Sequence, residues 1–344
     1  MVLEIDSSRG EGGGQMVRTS VALATLTGTV TRLTRIRENR PTNGLSKQHT
    51  TAVNAIAQMT GSKITGNYIG SSELLVEPGD KQVTDITMDI GTAGSISLVV
   101  QATLLAARNY KVPFKLDLRG GTNVMWAPPI DNYPMVLFPL MERMGIHASL
   151  EILERGFYPI GGGHVKLNMD PIGTIKPLNL DTLGEFKGLR GVCFVQHLSD
   201  RIGQEMIESC KKVFGPKYDI DIDFVRSEGT SRGAGMVLIA EYENGLLSSN
   251  VLSSKGHSPA QSGMDAASDL LQEMSAGSTI DIHTADQILP YMAMADGKSS
   301  FIVSRISKHL LSQMDTLESF LDVRFGVERK KDGYHFSVNP GAKE

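Results

Sequence analysis

The segment RGEGGGQMVR, residues 9–18, sets four glycines around Glu11 and runs straight into a helix-like stretch. Backbone N–H groups in so open a loop can approach an anion closely, and a helix starting near Gln15 directs its positive end to the same place. A carboxylate beside phosphate is repelled unless a divalent cation lies between them, so Glu11 points to Mg²⁺, or another divalent cation, carried in on a nucleotide. Arg18 falls on the helix one or two turns from the loop. Arg37 and Arg40, three apart in a polar turn, can present guanidinium forks to phosphate oxygens. Taken alone, the glycine pattern also reads as a tight turn, and any single arginine as part of a solvated face.

Near the other end of the chain, His309 opens a helix whose Leu310, Met314, Leu317 and Leu321 recur at the spacing of a buried stripe. An imidazole at a helix N-terminus has its cationic form disfavoured, which keeps a nitrogen lone pair available near neutral pH, as a nucleophile requires. The same residue also reads as a hydrogen-bonded histidine at a helix end. No G-x-x-x-x-G-K-[ST], H-E-x-x-H or C-x-x-C occurs, which excludes a Walker-type phosphate loop and the common built-in metal motifs.

The elements that must position these groups are bounded by length and composition. A chain of 344 residues with 40% hydrophobic and 21% charged residues is long enough for two or three packed units. The net charge of -4 argues against a broad basic coat for gripping duplex nucleic acid. Locally the balance reverses: Arg9, Arg18, Arg32, Arg35, Arg37, Arg40 and Lys47 face only Glu4, Asp6, Glu11 and Glu38, an excess of +3 in the first fifty residues. A positive pocket in an acidic protein suits an anionic ligand of limited size. With only Cys193 and Cys210, no signal-peptide pattern, and apolar stretches such as ISLVVQATLLAA too short to span a bilayer, the expected setting is cytoplasmic with no membrane partner.

Along the chain the opening reads strand, glycine-rich loop and helix, the helix stopped by Gly28, followed by a strand, a polar loop and the helix of SKQHTTAVNAIAQMTG. Similar grammar returns from TMDIGTAGSISLVVQATLLAARN to DNYPMVLFPLMERMG. A third copy is expected to begin near HVKLNMD and to resume around STIDIHTADQILPYMAMA. Between its halves the composition shifts to strand (GLRGVCFVQHL), amphipathic helix (DRIGQEMIESCKKVF), two strands and a helix closed by Gly277. The expected division is a repeat-built domain of residues 1–184 and 277–338 with an α+β domain of residues 185–276 inserted.

The ordered set RGEGGGQMVRT, IRENRPTNGLSKQH, GTAGSISLVVQ, GGTNVMWAPP, RGFYPIGGGHV, HTADQILPYMAMA and SKHLLSQM closely resembles the RNA 3'-terminal phosphate cyclases and covers nearly the whole chain outside the insertion. The resemblance implies an α/β (α+β) fold of three βαβαββ-type repeats with a smaller α+β domain inserted in the third. It implies the use of ATP to convert a 3'-phosphate at an RNA end into a 2',3'-cyclic phosphate, with release of AMP and pyrophosphate. His309 occupies the position of the nucleotidylated histidine, and Glu11, through Mg²⁺, with Arg18, Arg37 and Arg40, would neutralise the triphosphate. Gln48, His49 and Gln101 would line the phosphate and the RNA end. Asp286, with Gln287 beside it, would hold the histidine or nucleotide in place, fixing the tautomer of His309 while raising its pKa against the helix-end effect.

Pro128 and Pro129 would face the adenine, and His283 stands where some relatives have tyrosine. Trp126, the only tryptophan, reads either as a ring that stacks on a base or as one that packs, and packing is the favoured role. A homodimer is compatible with the resemblance. Two other readings are open to such a chain: a cyclase-like protein without the catalytic histidine, acting through RNA and protein contacts in ribosome biogenesis, and a transferase of the inside-out α/β barrel type. The first counts against itself here, since His309, Glu11 and the arginines are present; the second would need no ATP.

Overall fold

The computed structural model describes residues 1–331 and 333–341. Strand β1 (Leu3–Asp6), helix α1 (Gly14–Thr27), β2 (Thr31–Thr34), α2 (Lys47–Thr60), β3 (Lys63–Thr65) and β4 (Leu74–Glu77) form a first βαβαββ unit. Its sheet has the order β1-β2-β4-β3, with β1 parallel to β2 and the other pairs antiparallel. Helix α1 ends where Gly28 takes a left-handed φ of 69°, the stop that a glycine after an apolar run predicts. The second unit runs β5 (Asp85–Asp89), α3 (Ile96–Ala106), β6 (Phe114–Gly120), a π-helical turn at Tyr133–Leu137 leading into α4 (Phe138–Arg143), β7 (Ala148–Glu154) and β8 (Gly163–Met169). Its order, β5-β6-β8-β7, repeats the first sheet strand for strand.

The third unit opens with β9 (Asn179–Leu180) and is at once interrupted by β10 (Phe186–Gln196), α5 (Asp200–Phe214), β11 (Ile220–Ser227), β12 (Gly233–Tyr242), β13 (Leu246–Leu252) and α6 (Pro259–Ser275). It resumes with α7 (Ile282–Ala293), β14 (Ser299–Val303), α8 (Lys308–Phe320), β15 (Val323–Lys330) and β16 (Gly333–Pro340). The order β9-β14-β16-β15 is again the same topology. The expected start of this unit near HVKLNMD is therefore corrected: that segment is β8, which pairs with β6 and β7 and completes the second sheet. An alternating strand that ends one unit reads the same as one that begins the next, and β9 contributes only two residues.

The helices of the three units pack on one another, α1 against α2, α3 and α8, and α7 against α8 and α3. Every residue of α1 from Gln15 to Ala24 is buried. One hydrophobic cluster runs through all three units, from Ile5 and Val17 through Val99 and Leu118 to Leu289, Phe301 and Val338. Three sheets thus enclose a common helical layer. Within it the N-terminal ends of α1 and α8, from the first and third units, come together.

The interrupting segment forms its own four-stranded sheet, β11-β10-β12-β13. Period-two alternation divides β10 between two faces. Cys193 and Val195 pack with Met206, Cys210 and Leu270 of the two helices, whereas Val192 and Phe194 pack with Val237 and with Phe157 of the second unit. Both cysteines are buried and free, and burial pushes each thiol up to about 12. No helix among the described residues is long and apolar enough to cross a membrane.

A buried ion pair fastens this sheet to the second unit. Arg155 donates two hydrogen bonds to Asp131, at 2.7 and 2.6 Å, and a third to Asn123 Oδ1 at 3.3 Å. Its guanidinium lies 4.1 Å from the centre of the Phe194 ring. Both side chains are almost fully buried, at 6% and 5% exposure. Removing one partner strands the other charge away from water, which costs about 3–5 kcal/mol in such pairs. Asp131→Ala should therefore lower the melting temperature by several degrees, more than Arg35→Ala does at the exposed pair with Glu38; differential scanning calorimetry of the two variants checks the ranking.

Candidate active site

The glycine loop closes onto the start of α8. Gly10 and Gly12 both adopt a φ of 59°, a left-handed conformation that bends the chain back on itself. The Glu11 N–H then donates to Ser312 Oγ of α8 at 3.0 Å. Helix α1 begins at Gly14 after Gly13, whose backbone is extended and whose lack of a side chain leaves the first-turn N–H groups without a side-chain cap. A Cβ on Gly14 would collide with His49 Nε2 and lie 2.9 Å from an Arg18 nitrogen. The loop therefore needs glycine where it meets these two side chains.

His309 is the second residue of α8, which Ser307 caps by accepting from the Leu310 N–H at 2.9 Å. Its Nδ1 lies 2.7 Å from Gln15 Oε1 and 2.7 Å from Glu11 Oε2. Two acceptors on one ring nitrogen place the hydrogen there and leave Nε2 with its lone pair in the neutral ring. The imidazole pKa lies below its ordinary value: burial is the largest cause, and Arg18 and Arg40 add to it, against the opposing charge of Asp286. The competition between Asp286 and the cationic surroundings thus resolves toward the neutral ring. Glu11 is itself shared, since its other oxygen pairs with Arg40.

Behind this pair sits a cationic pocket. Arg18 is buried, its Nε–H has no hydrogen-bond partner, and no carboxylate pairs with it among the described residues. Burial pulls its pKa down to about 10, which leaves it charged at neutral pH. A small cavity gathers Arg18 with Gln101, Gln287 and Gln313, and Gln287 Oε1 also lacks a partner. A buried cation without its counter-charge is costly, and an anion of matching size would supply what is missing.

His49 lies alongside. Burial, then Arg18 and Arg37, push it down to about 3, so it is neutral across the physiological range. Its Nδ1 accepts from the Ser46 N–H at 3.0 Å, which leaves Nε2–H as a donor beside Gly14 and Arg18. Arg37 and Arg40 occupy the expected turn, the Arg40 N–H bonding the Arg37 carbonyl at 3.0 Å. Arg37 holds a left-handed φ of 54° and donates to the Gly44 carbonyl at 2.8 Å.

The remaining expected residues lie further out or act indirectly. Asp286 accepts from Ser307 Oγ at 3.1 Å and acts on His309 through its charge, while the hydrogen bonds that orient the ring come from Glu11 and Gln15. Gln48 Oε1 accepts from the N–H of Ser95, the N-cap of α3, and Ser97 Oγ donates to the Pro128 carbonyl at 2.8 Å. His283 is exposed in the first turn of α7. Trp126, assigned to packing from the sequence, is 95% exposed. Gln15, absent from the expected set, is the residue that sequence reasoning missed. Its position in the first turn of α1 was legible, its contact with a residue 294 positions away was not.

With this geometry in place, comparison with known proteins is decisive. Residues 9–327 match the family model for RNA 3'-terminal phosphate cyclase. The chain belongs to that family. It is 38% identical to the RNA 3'-terminal phosphate cyclase of Methanopyrus kandleri, over 96% of either chain, and 36% identical to that of Methanococcoides burtonii, over 98% of this chain and all of that one. Identity to the Nitrosospira multiformis protein of the same name is 36%, covering 95% and 94% of the two chains. The enolpyruvyl transferase NikO from Streptomyces tendae overlays with a TM-score of 0.39 at 9% identity, spanning 98% of this chain and 48% of that one, a likeness too slight to bear on activity.

The buried carboxyl of Asp286 has a consequence for pH. Burial chiefly pushes it from 3.8 up to about 7, offset by the charge of His309 and the Ser307 hydrogen bond. Between those values the folded state keeps a proton that the unfolded chain releases, so Asp286 makes stability fall as pH rises through that window. The depressed His309 acts in the opposite sense below its ordinary value of 6.5. In Asp286→Asn the first contribution vanishes. The melting temperature of the variant relative to the parent should rise steadily from about pH 4 to about pH 7 and then level off; calorimetry across that range would reject the assignment if the difference were flat.

Proposed function

We propose that the chain is an ATP-dependent RNA 3'-terminal phosphate cyclase that works through a covalent adenylyl group on His309. The observation that carries this reading is the pair of acceptors on Nδ1, Glu11 and Gln15, which commits the free lone pair to Nε2. Nε2 attacks the α-phosphorus of ATP; a P–N bond forms, the α–β P–O bond breaks and pyrophosphate leaves. The ring becomes cationic as it is adenylylated, and its Nδ1–H, hydrogen-bonded to Glu11, is then a charge-assisted donor.

A phosphate oxygen at the RNA 3' end next attacks the same phosphorus, breaking the P–N bond and giving an RNA-adenylate. The neighbouring 2'-hydroxyl then attacks the RNA phosphorus, closing the 2',3'-cyclic phosphate with loss of AMP and a proton. That last displacement is intramolecular, so proximity supplies much of the rate.

Arg18, Arg37, Arg40, the His49 Nε2–H and the uncapped N–H groups of α1 stabilise the phosphate charge that accumulates. Asp286 keeps an opposing charge near the imidazole, and Gln48, Gln101 and Gln287 supply neutral hydrogen-bonding groups around the phosphates. Pro128 and His283 are assigned to the adenine end of the nucleotide. Among the described residues no three His, Cys, Asp or Glu side chains gather into a metal-binding group. Glu11 nonetheless fits a divalent cation that arrives on the triphosphate, because a single carboxylate with phosphate and water oxygens satisfies Mg²⁺. When bound there, such a cation would neutralise charge on the triphosphate and polarise its P–O bonds. Its arrival would compete with the pairs Glu11 now makes with Arg40 and His309, freeing Arg40 for phosphate.

Incubation with α-labelled ATP and Mg²⁺ followed by denaturing electrophoresis should leave label on the protein, and peptide mass spectrometry should find AMP on His309. His309→Ala should lose the label. Gln15→Leu, with Glu11 still on Nδ1, should slow labelling by about 10–100-fold, as loss of a group orienting a reactive ring does. Cyclisation of RNA 3'-phosphate ends by an enzyme that carries no adenylyl group would sink the mechanism.

A further inference from the structure

Trp126 combines two unfavourable features that packing does not offset. It is 95% exposed, and its backbone holds a left-handed φ of 66°. A bulky residue in that region costs on the order of 1 kcal/mol, and strained conformations of this kind cluster at binding positions. Tyr158, 77% exposed, lies on a loop that meets the Trp126 loop through a bridge between Asn123 and Phe157.

Both loops are firmly held. The Thr122 and Asn123 N–H groups donate to the Gly156 carbonyl at 2.9 and 3.1 Å, and a Cβ on Gly161 would lie 2.8 Å from the Thr92 carbonyl oxygen. A continuous run of contacts joins this surface to the cationic pocket. Ser97 donates to the Pro128 carbonyl, the Ser97 and Ser95 hydroxyls are hydrogen-bonded at 2.7 Å, and the Ser95 N–H donates to Gln48, the neighbour of His49.

We propose that Trp126, with Tyr158 on the adjoining loop, forms a stacking platform for the nucleobases that precede the 3'-terminal phosphate of a single-stranded RNA. The inference rests on the cyclase reading, which fixes where the terminal phosphate sits. A strand ending in the pocket of Arg18 and His49 must lay its preceding nucleotides over the adjoining loops. Solitary rings carried on well-anchored loops offer flat apolar faces, which suit another flat ring and accept any base. They do not form the groove that a peptide helix would need.

Because Trp126 is the only tryptophan of the chain, its fluorescence reports on the site directly. Titration of the full-length protein, without ATP, with a single-stranded RNA ending in a 3'-phosphate should quench its emission. An RNA of the same length with abasic residues at its last positions should not. Trp126→Ala should raise the Kd and the KM for RNA by about tenfold or more, and Trp126→Phe should restore most of the loss. Trp126→Gly should weaken RNA binding equally while raising the melting temperature by roughly 1–2 °C, since glycine relieves the backbone strain.

Three results would overturn the proposal: emission indifferent to RNA with affinity of Trp126→Ala within about twofold of the parent; quenching by ATP alone with the loss falling on the KM for ATP, which assigns the ring to the adenine; or a lowered melting temperature in Trp126→Gly, which assigns it to packing. Self-labelling of the parent protein by ATP needs no RNA, so its failure would count against the cyclase reading and leave the RNA titration to be judged by itself.

Discussion

The contact between His309 and the pair Glu11 and Gln15 is the constraint around which the rest of the molecule is arranged. It joins the first turn of α8 to the loop and first turn of α1, across 294 residues of chain. Neither partner can build the arrangement alone. The glycine loop offers acceptors with nothing to orient, and the start of α8 offers a ring whose tautomer is unset until a hydrogen bond fixes the hydrogen. The shared helical layer supplies the alignment, because α1 packs directly on α8 and both bury their inner faces in one continuous core. Packing interactions that carry no chemistry therefore decide which nitrogen is free.

The same layer accounts for the charge distribution. Arg18 is carried into the interior by a helix with no other charged residue, and among the described residues no carboxylate pairs with it. His49 is held neutral close by, and the imidazole of His309 is depressed. A positive charge on either imidazole is what the environment resists. The pocket therefore combines fixed guanidinium charges, Arg18 buried and Arg37 and Arg40 at its edge, with neutral donors, which suits an anion. The carboxyl of Asp286 responds in the opposite direction. Asp286, buried next to His309 and beside Asp281, is the acid that burial pushes up.

What could be read from the sequence follows the range of each signal. Local signals survived intact: the glycine loop before α1, the stop at Gly28, the placing of His309 at the entry of α8 and the spacing of Arg37 and Arg40 in one turn all depend on neighbours within a few residues. The resemblance carried by ordered motifs gave the βαβαββ pattern, which the three equivalent sheet orders display. Signals that depend on distant packing did not survive. Gln15 looks like any polar residue in a first helical turn until α8 lies against it. For Trp126 the sequence favours packing over base stacking, yet the ring is exposed, because exposure is a property of the surrounding fold. Strand β13 was missed because its serines break the apolar alternation; two of them are buried through hydrogen bonds, Ser248 to Asp281 and Ser249 to the Ala266 carbonyl. The start of the third unit was misplaced because a two-residue strand has no periodicity to read.

Strain and order are distributed unevenly for the same reason. The non-glycine residues with positive φ among the described residues are Arg35, Arg37, Trp126 and His197, all in connections between elements. Two belong to the arginine turn beside the glycine loop, and Trp126 belongs to the loop that is hydrogen-bonded through Pro128 to α3. A left-handed non-glycine residue persists only where its surroundings over-determine it. Here the surroundings are the repeated sheets and the helical layer they enclose, whose burial is non-directional and indifferent to what the loops carry. Because that burial fixes the ends of each loop, the loops between them can hold backbone conformations and uncompensated charges that would not persist in a freely moving chain. The chemistry of the site is thus concentrated where the repeats leave the chain least regular and the core holds its ends most firmly.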